Sequence, residues 1–352
     1  MRPDLTALVG YHSAQVAVDV RLNTNESPMR PPAAWQEALV EAVGKIDFHR
    51  YPDREATALR SALAESHGVG LDEVFCANGS NEVLQCLLLA YGGPGRRIAL
   101  FEPTYTLHAH VARITGTEVA AGGRRDDFAL DLDEVARVVT GSDPVLTFLC
   151  SPNNPTGRAD SPEEIATVAR QVPGLLVVDE AYGQFAPSSA LELRTADPEG
   201  TRHVAVVRTF SKTWSMAGAR LGYLVADPEV VAACELVALP YHLDTVTQLA
   251  GRLALDYADE MNARVALIAE ERGRIAAAFA DLPVETWPSD ANFLLFRPTV
   301  REAGVVWSDL VSAGVLVRDC STWPGLTGCL RVTVGLPEEN DRFLAALSES
   351  LR

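Results

Sequence analysis

The sequence is poor in positive charge and in long apolar runs. Lysine and arginine together number 30 against 47 acidic residues, so the formal net charge is -17. Nucleic acids and anionic membranes are bound by clustered positive charge, and this balance argues against either as the main partner. No uncharged run reaches the roughly 18 residues that could span a bilayer, and no apolar segment of signal length opens the chain. We therefore expect a cytoplasmic protein.

Metal-ligand spacings are also missing. The six cysteines include no CxxC pair, and none stands beside a histidine at the spacing of a zinc site. His108 and His110 lie two residues apart, but the sequence offers them no carboxylate or cysteine companion. We expect buried, reduced thiols and no bound metal.

Lysine is the scarcest of the charged residues. Only Lys45 and Lys212 are present, and every other basic residue is arginine. The guanidinium of arginine stays protonated in a protein, whereas a desolvated lysine amine can lose its proton and attack a carbonyl carbon. Lys212 follows an apolar run over residues 203–210. Scarcity alone is equally compatible with a solvated lysine after a strand, but the neighbours described next favour a Schiff-base nucleophile.

The pattern of the chain predicts an α/β protein of two lobes. At 352 residues and 47% hydrophobic content, it can bury a large core. Residues 1–30 are rich in turn formers and predict an irregular arm. Residues 31–240 alternate apolar strands with amphipathic helices and predict the large domain, and residues 241–352 predict a smaller α+β domain.

Three apolar runs carry polar residues at their carboxyl ends. They cover residues 145–150, 175–178 and 204–207, and continuous apolar runs are typical of strands buried on both faces of a mainly parallel sheet. Ligands bind beyond the carboxyl ends of such strands. We therefore expect four residues along one edge of the sheet, namely Asn154, Asp179, Tyr182 and Lys212.

Two further segments contribute to that edge. Residues 74–77 form a short apolar strand, and Gly79, Ser80 and Asn81 then open a long apolar helix. Backbone amides at such a turn, together with the positive end of the helix dipole, bind phosphate well. Tyr105 follows another predicted strand and is placed to stack on a flat ring.

Together these residues describe a site for a pyridine aldehyde cofactor that is held by its phosphate. The aldehyde needs the amine of Lys212, and the pyridinium nitrogen needs a carboxylate, which Asp179 supplies. Asn154 and Tyr182 can donate hydrogen bonds to the phenolate oxygen of the ring. The phosphate is assigned to Gly79, Ser80, Ser211 and Arg220.

Several motifs resemble those of fold-type I pyridoxal-phosphate aminotransferases, and specifically the histidinol-phosphate aminotransferase family. They are SPNNPTG, VVDEAY, and SK followed eight residues after the lysine by Arg220, with LNTNESP, HRYPD, ANGSNEVLQ, FEPTY, AGARLGY, VLVRD and GCLRVTVGLPEEN in the same order along nearly the whole chain. The resemblance implies the fold-type I architecture, pyridoxal 5'-phosphate as cofactor and ping-pong transamination.

The resemblance also implies partners and further site residues. It implies a homodimer with shared active sites, in which Tyr51 reaches the cofactor phosphate of the other subunit, and it matches Tyr105 to the ring-stacking aromatic. Its small-molecule partners are histidinol phosphate and the pair glutamate and 2-oxoglutarate. The substrate-binding residues that it implies are Tyr11, Asn25, Arg318 and Arg331.

Substrate choice stays open at this point. Tyr11-His-Ser-Ala-Gln15 and Thr213-Trp-Ser-Met216 depart from the common family form. Trp214 or His12 would suit an aromatic amino acid aminotransferase of the same family. The sequence is also compatible with a decarboxylase of a phosphorylated amino acid. A noncatalytic regulatory module is opposed by the intact lysine and aspartate.

Overall fold

The structure is a computed structural model that describes residues 1–2, 5–6, 8, 10 and 15–352. In chain order its strands are β1 (Val20–Leu22), β2 (Val74–Ala77), β3 (Arg97–Glu102), β4 (Glu118–Gly123), β5 (Leu146–Cys150), β6 (Leu175–Asp179), β7 (Val204–Thr209), β8 (Gly222–Val225), β9 (Val284–Thr286), β10 (Phe293–Pro298), β11 (Val315–Asp319) and β12 (Leu330–Thr333). Its helices are α1 (Ala33–Val43), α2 (Thr57–His67), α3 (Ser80–Tyr91), α4 (Leu107–Thr115), α5 (Leu132–Ser142), α6 (Pro162–Gln171), α7 (Ala190–Ala196), α8 (Pro228–Val237), α9 (Thr245–Ala254), α10 (Ala258–Phe279), α11 (Ala303–Ser312) and α12 (Pro337–Ser350).

Seven strands form the large sheet in the order β2-β8-β7-β6-β5-β3-β4. Neighbouring pairs are parallel except for β8, which runs antiparallel to both β2 and β7. Six strands therefore point the same way, and their carboxyl ends meet at one edge. The α/β prediction with a mainly parallel sheet is confirmed.

The central strands are buried on both faces. Every residue of β5, β6 and β7 is buried. On one face Val177 packs in a cluster with residues of α3, α4 and α8, and on the other Val178 packs with α5, α6 and α7. Successive side chains of a strand point to opposite faces, so a strand covered on both sides is mainly apolar.

Five strands form the second sheet in the order β1-β11-β12-β10-β9. Strand β1 is parallel to β11, and the other pairs are antiparallel. β1 lies within the segment predicted as an irregular arm, so that part of the prediction missed a strand. The predicted helical region from Thr245 to Phe279 is divided into α9 and α10 by a 3-10 turn at Leu255–Tyr257.

Helix α9 packs away from the second sheet. Its Ala250 and Ala254 share an apolar cluster with Trp35 of α1 and Leu59 of α2, and the indole Nε1 of Trp35 donates to the carbonyl of Ala250 at 3.1 Å. The division at residues 30 and 240 stays a prediction.

A buried ion pair anchors the loop that carries Asn154. Arg124 follows β4 and donates to both carboxylate oxygens of Asp160, at 2.7 and 3.0 Å. The backbone NH of Asp160 in turn donates to the hydroxyl of Ser151 at 2.9 Å. Both charged side chains are almost fully buried, so neither can exchange its partner for water.

Replacing Asp160 with alanine should lower the free energy of unfolding by about 3 to 5 kcal/mol, because the Arg124 guanidinium would stay buried without its counter-charge. Urea unfolding followed by circular dichroism measures the change. Glu118→Ala is the matched control, since Glu118 pairs with the exposed Arg97 at 2.7 Å, and it should cost less than about 1 kcal/mol. Equal shifts for the two variants would contradict the assignment.

Candidate active site

A cavity of about 250 Å³ lies at the carboxyl ends of β5, β6 and β7, between the two sheets. Parallel strands deliver their carboxyl-terminal residues to a common edge, as the sequence predicted. The predicted residues that line the cavity are Asn25, Ser80, Asn81, Tyr105, Asn154, Asp179, Tyr182, Ser211, Lys212, Arg220 and Arg331.

Lys212 lies three residues beyond the end of β7. Its Nζ donates to the carbonyl oxygen of Thr24 at 3.1 Å. Burial and then the nearby positive charge of Arg331 lower the pKa of the Lys212 amine from 10.5 to about 8, while Glu26 acts in the opposite direction. A substantial fraction of the amine is therefore neutral, and able to act as nucleophile or base, near neutral pH.

Asp179 is the last residue of β6 and is 1% exposed. Its Oδ1 accepts from the backbone NH of Ala181 at 3.1 Å, and its Oδ2 lies 3.0 Å from Nε2 of His108. His108 is fully buried in α4 and stacks on Phe148 with ring centroids 4.8 Å apart. These contacts hold the carboxylate in one orientation at the cavity wall.

Sequence reasoning does not identify the role of His108, because its HxH spacing raises only the question of a metal pair. A different signal is present in the chain. His108 falls on the buried face of α4 with Val111 and Ala112, one helical turn after Tyr105. A buried histidine on an apolar helix face needs a polar partner, and Asp179 provides one.

Two hydrogen-bond donors of the cavity, Tyr182 and Asn154, are oriented by residues outside the large sheet. One of these residues follows β1 and the other lies in the second sheet. Asn25 Nδ2 donates to the hydroxyl oxygen of Tyr182 at 2.9 Å, which leaves the Tyr182 proton available to the cavity. A guanidinium nitrogen of Arg331 donates to Asn154 Oδ1, so the amide NH₂ of Asn154 is likewise available as a donor. Arg331 also donates to the Asn23 carbonyl at 3.0 Å.

Asn25 itself is held from two sides. Its backbone NH donates to Thr333 Oγ1, and Thr333 Oγ1 donates to its Oδ1, both at 3.0 Å. The predicted substrate-binding role of Asn25 stays a prediction. The contacts in the structure are those of a residue that positions Tyr182.

The amino terminus of α3 lies at the end of the cavity where the sequence predicts the phosphate. Gly79 has a φ of 81°, and a Cβ at this position would come within 2.6 Å of Arg220 Nη2. Arg220 donates to the Ser211 hydroxyl at 3.3 Å. Backbone amides at Ser80, a hydroxyl and a guanidinium thus converge on a concave surface that only glycine leaves open. This donor set fits a phosphate monoester.

Three predicted residues of the described chain do not line the cavity. Gly79 lies against Arg220, which does line the cavity. Tyr51 is 80% exposed and stacks on Tyr241, with ring centroids 4.5 Å apart. The guanidinium of Arg318 lies over the ring of Trp323, 5.6 Å from its centroid. The predictions for Tyr11 and His12 fall outside the described residues.

Other residues line the cavity although the sequence did not single them out. They are Thr24, Glu26, Cys150, Ala181, Thr209, Ala217 and Trp323. The suggestion that Trp214 shapes the pocket is wrong, because Trp214 is buried against Phe210, with centroids 5.2 Å apart, in the core between α1, α2 and α9.

An amine of lowered pKa, an oriented carboxylate, two directed donors and a phosphate-binding helix terminus are the complementary groups of pyridoxal 5'-phosphate. Fold and site together define a pyridoxal-phosphate-dependent enzyme.

The family within this class follows from sequence comparison. The family model for aminotransferase class I and II matches residues 17–347, and the chain belongs to this family.

Two curated relatives and one solved structure similar to this chain carry the same name. The chain is 45% identical to the histidinol-phosphate aminotransferase of Mycobacterium ulcerans over 98% of its own length and 91% of that protein. It is 46% identical to that of Frankia casuarinae, covering 100% and 90%. Among solved structures, histidinol-phosphate aminotransferase from Sinorhizobium meliloti in complex with pyridoxal-5'-phosphate gives a TM-score of 0.89 at 26% identity, covering 100% of this chain and 97% of that one.

The lowered pKa of Lys212 makes a measurable prediction for the cofactor-free protein. Its labelling by an amine-selective reagent should rise with pH and reach half its maximal rate near pH 8. At pH 7.5 roughly a quarter of such an amine is neutral, against about one in a thousand for an ordinary lysine. Mass spectrometry of the two lysine peptides separates Lys212 from Lys45. A midpoint for Lys212 above pH 10 would contradict the burial argument.

Proposed function

We propose that the protein transfers the amino group between glutamate and imidazole acetol phosphate, giving histidinol phosphate and 2-oxoglutarate, as a cytoplasmic enzyme of histidine biosynthesis. The observation that carries this proposal is a pair of arginines. Arg318 and Arg331 stand directly opposite each other in the β11–β12 register. The shared name of relatives at 45 and 46% identity supports the same substrate.

The arginine pair suits the two halves of the reaction. Histidinol phosphate has a phosphate and no α-carboxylate, whereas glutamate and 2-oxoglutarate have two carboxylates, and the planar guanidinium binds either kind of anion bidentately. Residues directly opposite in an antiparallel pair project from the same face of the sheet. Arg331 lines the cavity, so Arg318 emerges on the cavity side as well.

The chain's own residues then carry out the proton chemistry. Bound pyridoxal phosphate supplies a ring that withdraws electrons from the carbon exchanging its proton. The neutral Nζ of Lys212 takes that proton and returns it, as general base and then general acid. Asp179, held by His108 and the Ala181 amide, would keep a positive charge on the ring nitrogen. Tyr182 and Asn154 would donate hydrogen bonds to the ring oxygen.

The aromatic amino acid alternative has less support. The residue proposed to shape its pocket, Trp214, is in the core, and the curated relatives are named for histidinol phosphate. For the decarboxylase alternative, the discriminating result is loss of carbon dioxide without a keto-acid acceptor.

Histidinol phosphate and glutamate should each convert the holoenzyme rapidly to the pyridoxamine form in single turnover, because the first presents a phosphate and the second two carboxylates to the arginines, whereas phenylalanine has a single carboxylate. Phenylalanine should react more slowly. Stopped-flow absorbance measures the three rates. Lys212→Ala should reduce each rate by at least about a thousandfold, since base and nucleophile are both lost. If phenylalanine reacts fastest, the substrate assignment is wrong while the cofactor chemistry stands.

We also propose a homodimer with shared active sites. Tyr51 lies outside the cavity of its own chain and stacks on Tyr241. Phe48, three residues before Tyr51, and Leu239, two residues before Tyr241, are each more than 70% exposed. Exposed apolar patches of this kind are typical of protein interfaces. In a twofold dimer this surface would bring Tyr51 of one subunit to the phosphate end of the other cavity.

Mixing tests the shared site. Two inactive or weakened variants, Lys212→Ala and Tyr51→Ala, should together recover about a quarter of wild-type activity after subunit exchange, because half of the randomly paired dimers are heterodimers with one intact site. Steady-state transamination before and after exchange is the measurement. If each site lies within a single subunit, mixing will give only the average of the two parents.

A further inference from the structure

Trp323 occupies a position that neither the motifs nor the reaction chemistry explains. It lies in the segment between β11 and β12, which also contribute Arg318 and Arg331. Its indole lines the cavity together with Tyr105, Lys212 and Arg331. One ring therefore contacts both the space available to a substrate and the second arginine of the pair.

The segment that carries Trp323 is well anchored. The backbone NH of Trp323 donates to the Cys320 carbonyl at 2.9 Å, and the NH of Leu326 donates to the Trp323 carbonyl at 3.1 Å. Leu326, Cys320 and Cys329 are fully buried in an apolar cluster against which Trp323 packs. The indole is consequently held in place before any substrate arrives.

Arg318 is positioned by that indole. Its guanidinium carbon lies over the Trp323 ring, 5.6 Å from the centroid, within the range of a cation–π contact. Arg331, directly across the strand pair, is fixed by Asn154 and Asn23. Two guanidinium groups at opposed positions repel each other, and an anion bound near both relieves the repulsion. The stacked position keeps Arg318 beside the cavity without filling it.

We propose that Trp323 is a specificity-determining residue for the phosphorylated substrate. The indole forms the cavity wall next to the substrate's phosphate and positions the Arg318 guanidinium to bind that group. This inference rests on the proposed function and adds to it a residue that distinguishes the substrates of the two half-reactions. Glutamate has no phosphate and needs Arg331 more than it needs the Trp323–Arg318 stack.

The chain contains a matched control for this stack. Trp287 lies between β9 and β10, packs on the same apolar cluster, and carries the guanidinium of Arg297 5.2 Å from its ring centroid. Trp287 does not line the cavity. Trp287→Leu thus removes an equivalent tryptophan–arginine contact away from the substrate.

The test is single turnover of the holoenzyme with histidinol phosphate or glutamate as the only amino donor, over a range of concentrations. Trp323→Leu should raise the half-saturating concentration of histidinol phosphate about tenfold, the loss expected for one cation–π contact. Its limiting rate, and both parameters for glutamate, should stay within about threefold. Trp323→Phe, which keeps an aromatic face, should restore most of the affinity.

Other outcomes of these measurements would contradict the inference. Equal losses for the two donors in Trp323→Leu would overturn the inference, and so would equal effects of Trp323→Leu and Trp287→Leu. Thermal unfolding midpoints and the absorbance of bound cofactor show whether a variant is misfolded. If Trp323→Leu is misfolded, Trp323→Phe and Trp323→Gln are compared with each other instead. Failure of the wild-type protein itself to react with histidinol phosphate would reject the proposed function and this inference with it.

Discussion

The architecture of the site depends on the convergence of strand ends at one edge of a buried parallel sheet. Cys150 and Asp179 are register partners at the ends of β5 and β6, and Lys212 follows β7 by three residues. Each of these strands is mainly apolar because helices cover both faces. Chemistry can therefore enter only where the strands end, so residues far apart in sequence share one cavity.

The electrostatics of the cavity follow from the same placement. The Lys212 amine is drawn out of water by its position between the two sheets, and the Arg331 charge adds to the lowering of its pKa. Arg331 is itself 5% exposed and bound to Asn154 and the Asn23 carbonyl. Arg331, in the second sheet, thus helps to lower the pKa of Lys212, which follows a strand of the large sheet. It also orients Asn154, one of the two hydrogen-bond donors of the cavity. Relative movement of the two sheets would alter both properties together.

Sequence reasoning recovered the parts of this design that depend on strand order and local motifs. The carboxyl-edge residues Asn154, Asp179 and Lys212 follow from apolar runs ending in polar residues, and the phosphate end from the glycine turn before α3. It missed β1, whose three residues are too few to show a strand pattern. His108 and Trp323 were not found because their partners, Asp179 and Arg318, are identified by packing across elements and not by spacing along the chain.

The same limit explains why the sequence did not predict the position of Arg318 relative to Arg331. The resemblance implied only that Arg318 and Arg331 both bind substrate, whereas the strand register makes them direct neighbours on one face of the sheet. Neighbouring guanidiniums are unfavourable without a counter-charge. The fold holds Arg331 by the Asn154 amide oxygen, the Asn23 carbonyl and the face of Phe293, and it places Arg318 over the ring of Trp323. Both guanidiniums thus lie against an aromatic ring, but Trp323 lines the cavity and Phe293 does not. A site that must accept a phosphate in one step and a dicarboxylate in the next benefits from that asymmetry.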